Sequence, residues 1–126
     1  MLRIVVSDTG LEVASSAAIA DTFFARLKGL LGTAGLPAGE GLLIPRCNSV
    51  HTIGMKYSID VLFLDKNFTV LKAVAQLAPC RAAVCWQAAM VLELPAGTAA
   101  RAGLAAGHRL VAHKKYRAMS PVMRGG

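Results

Sequence analysis

Four side chains that could do chemistry lie within 14 residues of one another, in a stretch that otherwise has the composition of strand core. They are a thiol, an imidazole, a thioether and a carboxylate, from Cys47, His51, Met55 and Asp60. Polar groups inside a strand cost free energy unless they are paired. We therefore look for a site in this segment first.

The histidine has a defined place if residues 49–53 form a strand. Alternation then puts Ser49, His51 and Ile53 on one face, and Val50 and Thr52 on the other. His51 could act there as a ligand, as a general base or as a hydrogen-bonded structural histidine. The residue type and its position leave these three roles open.

Asp60 enters a very apolar strand, and we expect it to have a partner. His51, Lys56 and Arg26 are the candidates. A His51–Asp60 pair would provide the orienting half of a catalytic dyad, in a hydrolase or a transferase. The alternative, which we favour, is a buried polar network that fixes the register of two strands.

The cysteines offer a second set of reactive groups. Cys47, Cys80 and Cys85 cannot all pair within one chain, and without a secretion signal we expect reduced thiols. Together with His51 they would offer four zinc ligands, but the spacings match no common zinc motif. Residues i and i+4 of a strand lie about 13 Å apart, so a Cys47–His51 nucleophile–base pair would need a bend at Cys47-Asn48. We expect no metal and no cofactor, and a Cys80–Cys85 disulfide stays an alternative.

Two further residues stand out in the second half of the chain. Glu93 lies between Leu92 and Leu94, so alternation predicts that it faces solvent or a cleft. Trp86, the only tryptophan, lies in an irregular segment, residues 79–87. We expect it to fill the core, and an exposed recognition anchor is the alternative.

Composition bounds the class of protein. The chain has 126 residues, 55% of them hydrophobic, which is enough for one domain with a real core. The sequence has no run of about 18 apolar residues, so we expect no transmembrane helix. The first residues have the pattern of a strand rather than of a leader. We therefore expect a cytoplasmic protein, and a fragment expressed without its leader is the alternative.

The net charge of +7 is concentrated at one end of the chain. Residues 113–126 contain four Lys or Arg and no acid, so we expect a basic, flexible tail after a single β-rich domain at residues 1–112. Aromatic residues make up only 6% of the chain, and they do not alternate with basic ones. The sequence therefore predicts no specific nucleic-acid binding.

The hydrophobic pattern predicts a mainly β fold. One amphipathic helix begins at Asp21, with an apolar stripe at helical spacing, and a further helical turn covers residues 98–103. A tight turn is expected at residues 65–68. Strands are expected at residues 2–6, 11–15, 42–44, 49–53, 59–65, 69–77, 89–94 and 109–112. This pattern favours an antiparallel β-sandwich or squat barrel of seven to eight short strands, with the amphipathic helix packed at one end.

Four motifs follow one another in the chain. They are Arg26-x-x-Gly-Leu-Leu31, Gly41-Leu-Leu-Ile44, Val50-His-Thr-Ile-Gly-Met-Lys56 with the apolar strand at 59–65, and Val91-Leu-Glu-Leu-Pro-Ala-Gly97 with Gly103-Leu-x-x-Gly107. In order and spacing they resemble one family of small prokaryotic proteins, domain of unknown function 192. The resemblance covers residues 11–112. It implies a compact β-rich fold with one helix and implies no activity.

The chain departs from this family at one motif. Many relatives have a tryptophan-methionine-lysine-asparagine run where this chain has Ile53-Gly-Met-Lys-Tyr57. Any role of that tryptophan and that asparagine side chain is therefore absent here.

These observations lead to a hypothesis of a non-enzymatic module that binds a small molecule or a partner protein. The site would be a cleft near His51, Met55 and Asp60, bordered by residues 79–87. The alternative is a hydrolase or transferase that uses His51 as base and Asp60 as orienting acid. We expect a monomer or a dimer. The candidate ligand-binding residues are His51, Thr52, Met55, Asp60, Arg26 and Trp86.

Overall fold

A computed structural model describes residues 1–20 and 36–114, and within them it contains nine strands and one short helix. The strands are β1 (Leu2–Val6), β2 (Glu12–Ile19), β3 (Glu40–Pro45), β4 (Ser49–His51), β5 (Ile59–Leu64), β6 (Val70–Leu77), β7 (Ala82–Val84), β8 (Met90–Pro95) and β9 (Leu110–Lys114). The helix, α1, covers Thr98–Ala102. The predicted helix at Asp21, which includes Arg26, and the tail beyond Lys114 lie outside the described residues.

Seven strands form one sheet, in the order β6-β5-β8-β3-β2-β1-β9. Neighbours are antiparallel except β2 and β3, which are parallel. Parallel strands need a connection of about a dozen residues or more, and residues 20–39 provide that length. The remaining strands, β4 and β7, pair with each other as a separate two-stranded ribbon.

The large sheet is curled, so that its two edge strands meet at one end. Thr69, just before β6, forms a bridge with Arg109, just before β9. The Val70 N–H donates to the His108 carbonyl at 2.8 Å, and the Leu110 N–H donates to the Phe68 carbonyl at 2.9 Å. Helix α1 contacts both β2 and β6, which three other strands separate in the sheet. The sheet therefore curls around α1.

The core has two parts, one on each face of this sheet. On the inner face, Leu62 and Leu64 of β5 pack with Leu92 and Leu94 of β8 and with Ala99 of α1. On the outer face, the alternate residues of the same strands, among them Val61, Phe63 and Val91, pack with residues around the ribbon. Strands that are buried on both faces have continuous apolar sequences, as β5 does.

Short-range chemistry fixes the connections that the sequence predicts. The Asp65 carboxylate accepts hydrogen bonds from the Asn67 N–H at 2.8 Å and the Thr69 N–H at 2.9 Å, which closes the β5–β6 turn. Helix α1 begins after Gly97 and ends at Gly103, and both glycines have positive φ, 96° and 64°. Such angles favour glycine because it has no Cβ.

The prediction of a mainly β fold is confirmed, and the architecture is one curled seven-stranded sheet with a short helix. The sheet combines antiparallel pairs with the parallel β2–β3 pair, which the sequence did not indicate. Strand β7 lies inside residues 79–87, which were expected to be irregular. Helix α1, the one helix in the described part of the chain, lacks the length and apolarity needed to cross a membrane.

Candidate functional site

The outer face of the two-stranded ribbon carries a groove of about 300 Å³. We call it the ribbon groove, and it is lined by Ser49, Val50, His51, Ala82, Ala83, Val84 and Trp86. Strands β4 and β7 pair with Ser49 opposite Val84 and His51 opposite Ala82. Opposite residues of an antiparallel pair share a face, so these four residues form the exposed side of the ribbon.

The two faces of β4 differ as the sequence predicts. Ser49, His51 and Ile53 are exposed, whereas Val50 and Thr52 are buried. Val50 and Met55 belong to the outer-face core, and Ala83 packs against it. Burial of these apolar side chains holds the ribbon on the sheet and leaves His51 in the groove.

Thr52 fastens the end of β4 to the segment that leads into β7. Its hydroxyl donates to the Ala78 carbonyl at 2.5 Å and accepts from the Arg81 N–H at 2.9 Å. Its own N–H donates to the Arg81 carbonyl at 2.8 Å, and its carbonyl accepts from the Cys80 N–H at 3.0 Å. Because the side chain is fully buried and its hydroxyl bonds are taken, Thr52 positions the groove from beneath.

Trp86 is the largest exposed side chain at the groove. It lies in a turn that the hydrogen bond from the Ala88 N–H to the Cys85 carbonyl closes at 2.9 Å. The side chain is 75% exposed. The expectation that Trp86 fills the core is therefore wrong, because the short loop after β7 carries the indole outward.

Asp60 is fully buried, and its partners are backbone amides rather than His51 or Lys56. One carboxylate oxygen accepts from the Gln76 N–H at 2.8 Å, and the other accepts from the Ala99 N–H at 2.7 Å. Gln76 has a positive φ of 53°, at a point where the β5–β6 register shifts. Ala99 is in the first turn of α1, where free N–H groups favour an anion.

The carboxylate of Asp60 and the ribbon groove lie on opposite faces of β5. Asp60 alternates with Leu62 and Leu64 on the inner face, whereas the ribbon packs on the face of Val61 and Phe63. The structure therefore does not bring His51 and Asp60 together in one accessible site. Asp60 is thus buried and paired, but its partners are backbone amides of β6 and α1 rather than the side chains of a polar network.

The expectation that Glu93 faces solvent or a cleft is wrong, since its side chain is only 3% exposed. Glu93 is in β8, which has a strand on each side and core residues on both faces. Alternation along β8 therefore does not distinguish a solvent-exposed face from a buried one. Arg26, the third candidate partner of Asp60, lies outside the described residues.

None of the three cysteines, all of which lie in the described part of the chain, forms a disulfide. Cys80 is exposed, and Cys47 and Cys85 are partly buried. The Cys47 thiol donates to the Ser49 carbonyl at 3.1 Å. In residues 1–20 and 36–114, no three His, Cys, Asp or Glu side chains are close enough together to hold a metal ion.

Comparison with known proteins identifies a family. A family model described as DUF192, "Uncharacterized ACR", matches residues 4–112. No curated protein matches the chain.

Two solved structures are similar to this one. One, from Sinorhizobium meliloti 1021 and titled a "putative transcription regulator", has a TM-score of 0.72 and 23% identity, over 88% of this chain and 91% of that one. The other is a protein of unknown function from Novosphingobium aromaticivorans DSM 12444. It has a TM-score of 0.73 and 22% identity, over 86% of this chain and 83% of that one. At these identities the similarity establishes the fold.

Proposed function

The chain belongs to the DUF192 family, and on that premise we propose that it is a non-enzymatic binding module whose site is the ribbon groove. The observation that carries the proposal is Trp86, a tryptophan that is 75% exposed beside a groove with largely apolar walls. Exposed tryptophan is enriched among the residues that contribute most to binding.

Among the residues that we predicted for the site, His51 and Trp86 are proposed to touch the ligand. Both line the groove, and His51 can donate or accept a hydrogen bond there. Thr52 and Met55 are buried beside the groove, and we propose that they hold its floor. Asp60 supports the sheet from its other face, so its contribution to binding is indirect.

The geometry favours binding over catalysis by His51 and Asp60. A general base must be within hydrogen-bond reach of its orienting group or of the substrate. Both oxygens of Asp60 accept bonds from backbone amides on the opposite face of β5 from the ribbon. No feature of the described residues favours the hydrolase or transferase alternative.

The size of the groove bounds its ligand. Small-molecule sites usually have volumes of about 300 to 1,000 Å³, and this groove has about 300 Å³. It therefore suits a small molecule or one or two side chains of a partner protein.

The proposal predicts that a bound ligand changes the amide NMR signals of the ribbon and not those of the rest of the protein. An NMR screen of ¹⁵N-labelled protein against small molecules and short peptides should shift the amide signals of residues 49–51 and 82–86. Trp86→Ala and His51→Ala should each lower the affinity of any ligand found in this screen about tenfold or more. A tenfold change corresponds to about 1.4 kcal/mol of binding free energy.

Leu11→Ala is the matched control, because Leu11 is also an exposed apolar side chain but lies before β2, away from the ribbon. It should leave binding unchanged. Hits that shift signals only outside the ribbon, or that bind the Trp86→Ala variant as well as the wild type, would overturn the proposal.

A further inference from the structure

We infer that the ribbon groove binds a short acidic peptide segment, with an apolar side chain of the peptide against Trp86 and its carboxylates at Arg81 and Lys72. This inference rests on the proposed function, because it names the ligand class of the same groove. Three observations carry it: the cations beside the groove, the commitment of the acids in the same chain segment to other bonds, and the apolar lining.

Two cations border β7. The Lys72 ammonium donates to the carbonyl of Val84, a groove residue, at 3.1 Å, which places its charge at the edge of the ribbon. Arg81 immediately precedes Ala82 in the groove wall, and its side chain is exposed. Its backbone is fixed by the hydrogen bonds to Thr52. Neither cation has a carboxylate partner among the described residues.

The acids in the chain segment that carries the ribbon are bound to backbone groups. Residues 46–89 contain five Lys or Arg but only two acids, Asp60 and Asp65. Asp60 is buried against two amides, and Asp65 accepts both N–H bonds of its turn through one oxygen. The segment that carries the ribbon therefore presents an excess of positive charge, which favours an anionic partner.

The lining of the groove favours a peptide over a nucleic acid. Four of its residues, Val50, Ala82, Ala83 and Val84, are aliphatic. Proteins that bind single strands stack successive bases on several aromatic side chains. Within residues 1–20 and 36–114, Trp86 is the only exposed side chain among phenylalanine, tyrosine and tryptophan. Arg81 precedes the first residue of β7, and the Lys72 ammonium lies at its last residue, Val84. A peptide with one apolar side chain between carboxylates would place its charges at these two ends.

The single tryptophan of the chain reports on the groove directly, because its emission shifts to shorter wavelength when the indole leaves water. The probes are blocked pentapeptides: Glu-Glu-Leu-Glu-Glu, its uncharged counterpart Gln-Gln-Leu-Gln-Gln, and Glu-Glu-Gly-Glu-Glu without the apolar residue. Oligothymidylate is the nucleic-acid probe. We expect a saturable shift with the first peptide, which weakens as salt is raised.

Arg81→Gln and Lys72→Gln should each weaken binding of the acidic peptide about two- to fivefold, as expected for exposed charge pairs. Arg109→Gln removes an exposed cation beside β9 and should change binding by less than about twofold.

Equal binding of the Gln and Glu peptides would overturn the acidic preference while leaving the groove as a binding site. If oligothymidylate bound more tightly than the acidic peptide, the inferred ligand class would be wrong, and the groove would be a nucleic-acid site. Absence of any shift with the peptides would overturn this inference, and the NMR screen would then decide the proposed function separately.

Discussion

The two faces of β5 each have a side chain in an environment that does not match its polarity. On the inner face, Asp60 is a charged group without any exposed surface, and both of its oxygens are satisfied by backbone amides. On the outer face, the ribbon leaves an apolar indole in water. The conspicuous polar residue therefore supports the fold, whereas the exposed apolar residue marks the candidate site. A side chain whose position lowers the stability of the fold indicates function only when no other interaction compensates for that loss of free energy.

The strongest test of this contrast is Asp60→Ala. The change leaves the Gln76 and Ala99 amides without their acceptor in the core, and we expect it to lower the free energy of unfolding by roughly 2–4 kcal/mol. Urea denaturation followed by circular dichroism measures this. Asp8→Ala, at an exposed turn, is the control and should cost less than about 0.5 kcal/mol. A loss below about 0.5 kcal/mol for Asp60→Ala would refute the structural role.

An intermediate effect is expected at Thr52. Thr52→Val keeps the shape of the side chain but removes the hydroxyl that bonds the Ala78 carbonyl and the Arg81 N–H. The loss should be about 1–3 kcal/mol, because buried polar groups then lack partners. Hydrogen exchange should rise at residues 80–84.

Thr52→Ser retains the hydroxyl and is the control for this variant, so its exchange at residues 80–84 should stay near that of the wild type. If the Val and Ser variants exchanged at the same rate there, the hydroxyl would not be what fastens the ribbon.

The smallest effect on stability is expected at Trp86. Since its side chain is 75% exposed, Trp86→Ala should change the free energy of unfolding by less than about 0.5 kcal/mol. Chemical denaturation followed by far-ultraviolet circular dichroism measures this without needing the indole. If Trp86→Ala lost binding but kept its stability, Trp86 would contribute to binding and not to folding, in contrast to Asp60. A cost above about 1.5 kcal/mol would instead mean that the indole is packed.

Much of the fold follows from periodicity in the sequence. Ser49, His51 and Ile53 are exposed and Val50 and Thr52 buried, as alternation predicts, because β4 has one face on the core and one in water. The same rule is wrong for Glu93, since β8 is buried on both faces. Strand β7, with only Ala82, Ala83 and Val84, is too short and too small in its side chains to stand out from a loop.

The candidate site was only partly predictable. His51 and Trp86 were both identified, but the groove that they share forms through the pairing of β4 with a strand more than 30 residues later in the chain. The partners of Asp60 come from a register shift in β6 and from the start of α1, and backbone amides have no signature in the residue types. The groove and the partners of Asp60 therefore both depend on tertiary structure.

The pairing of β1 has a consequence for how the chain folds during synthesis. β1 lies between β2 and β9, and Leu2 pairs with Lys114. A ribosome therefore delivers one neighbour of β1 almost at once and the other only about a hundred residues later. Throughout that interval the free edge of β1 exposes N–H and C=O groups that can pair with any other strand. Among the described strands, the last to be made is thus the one that covers the first.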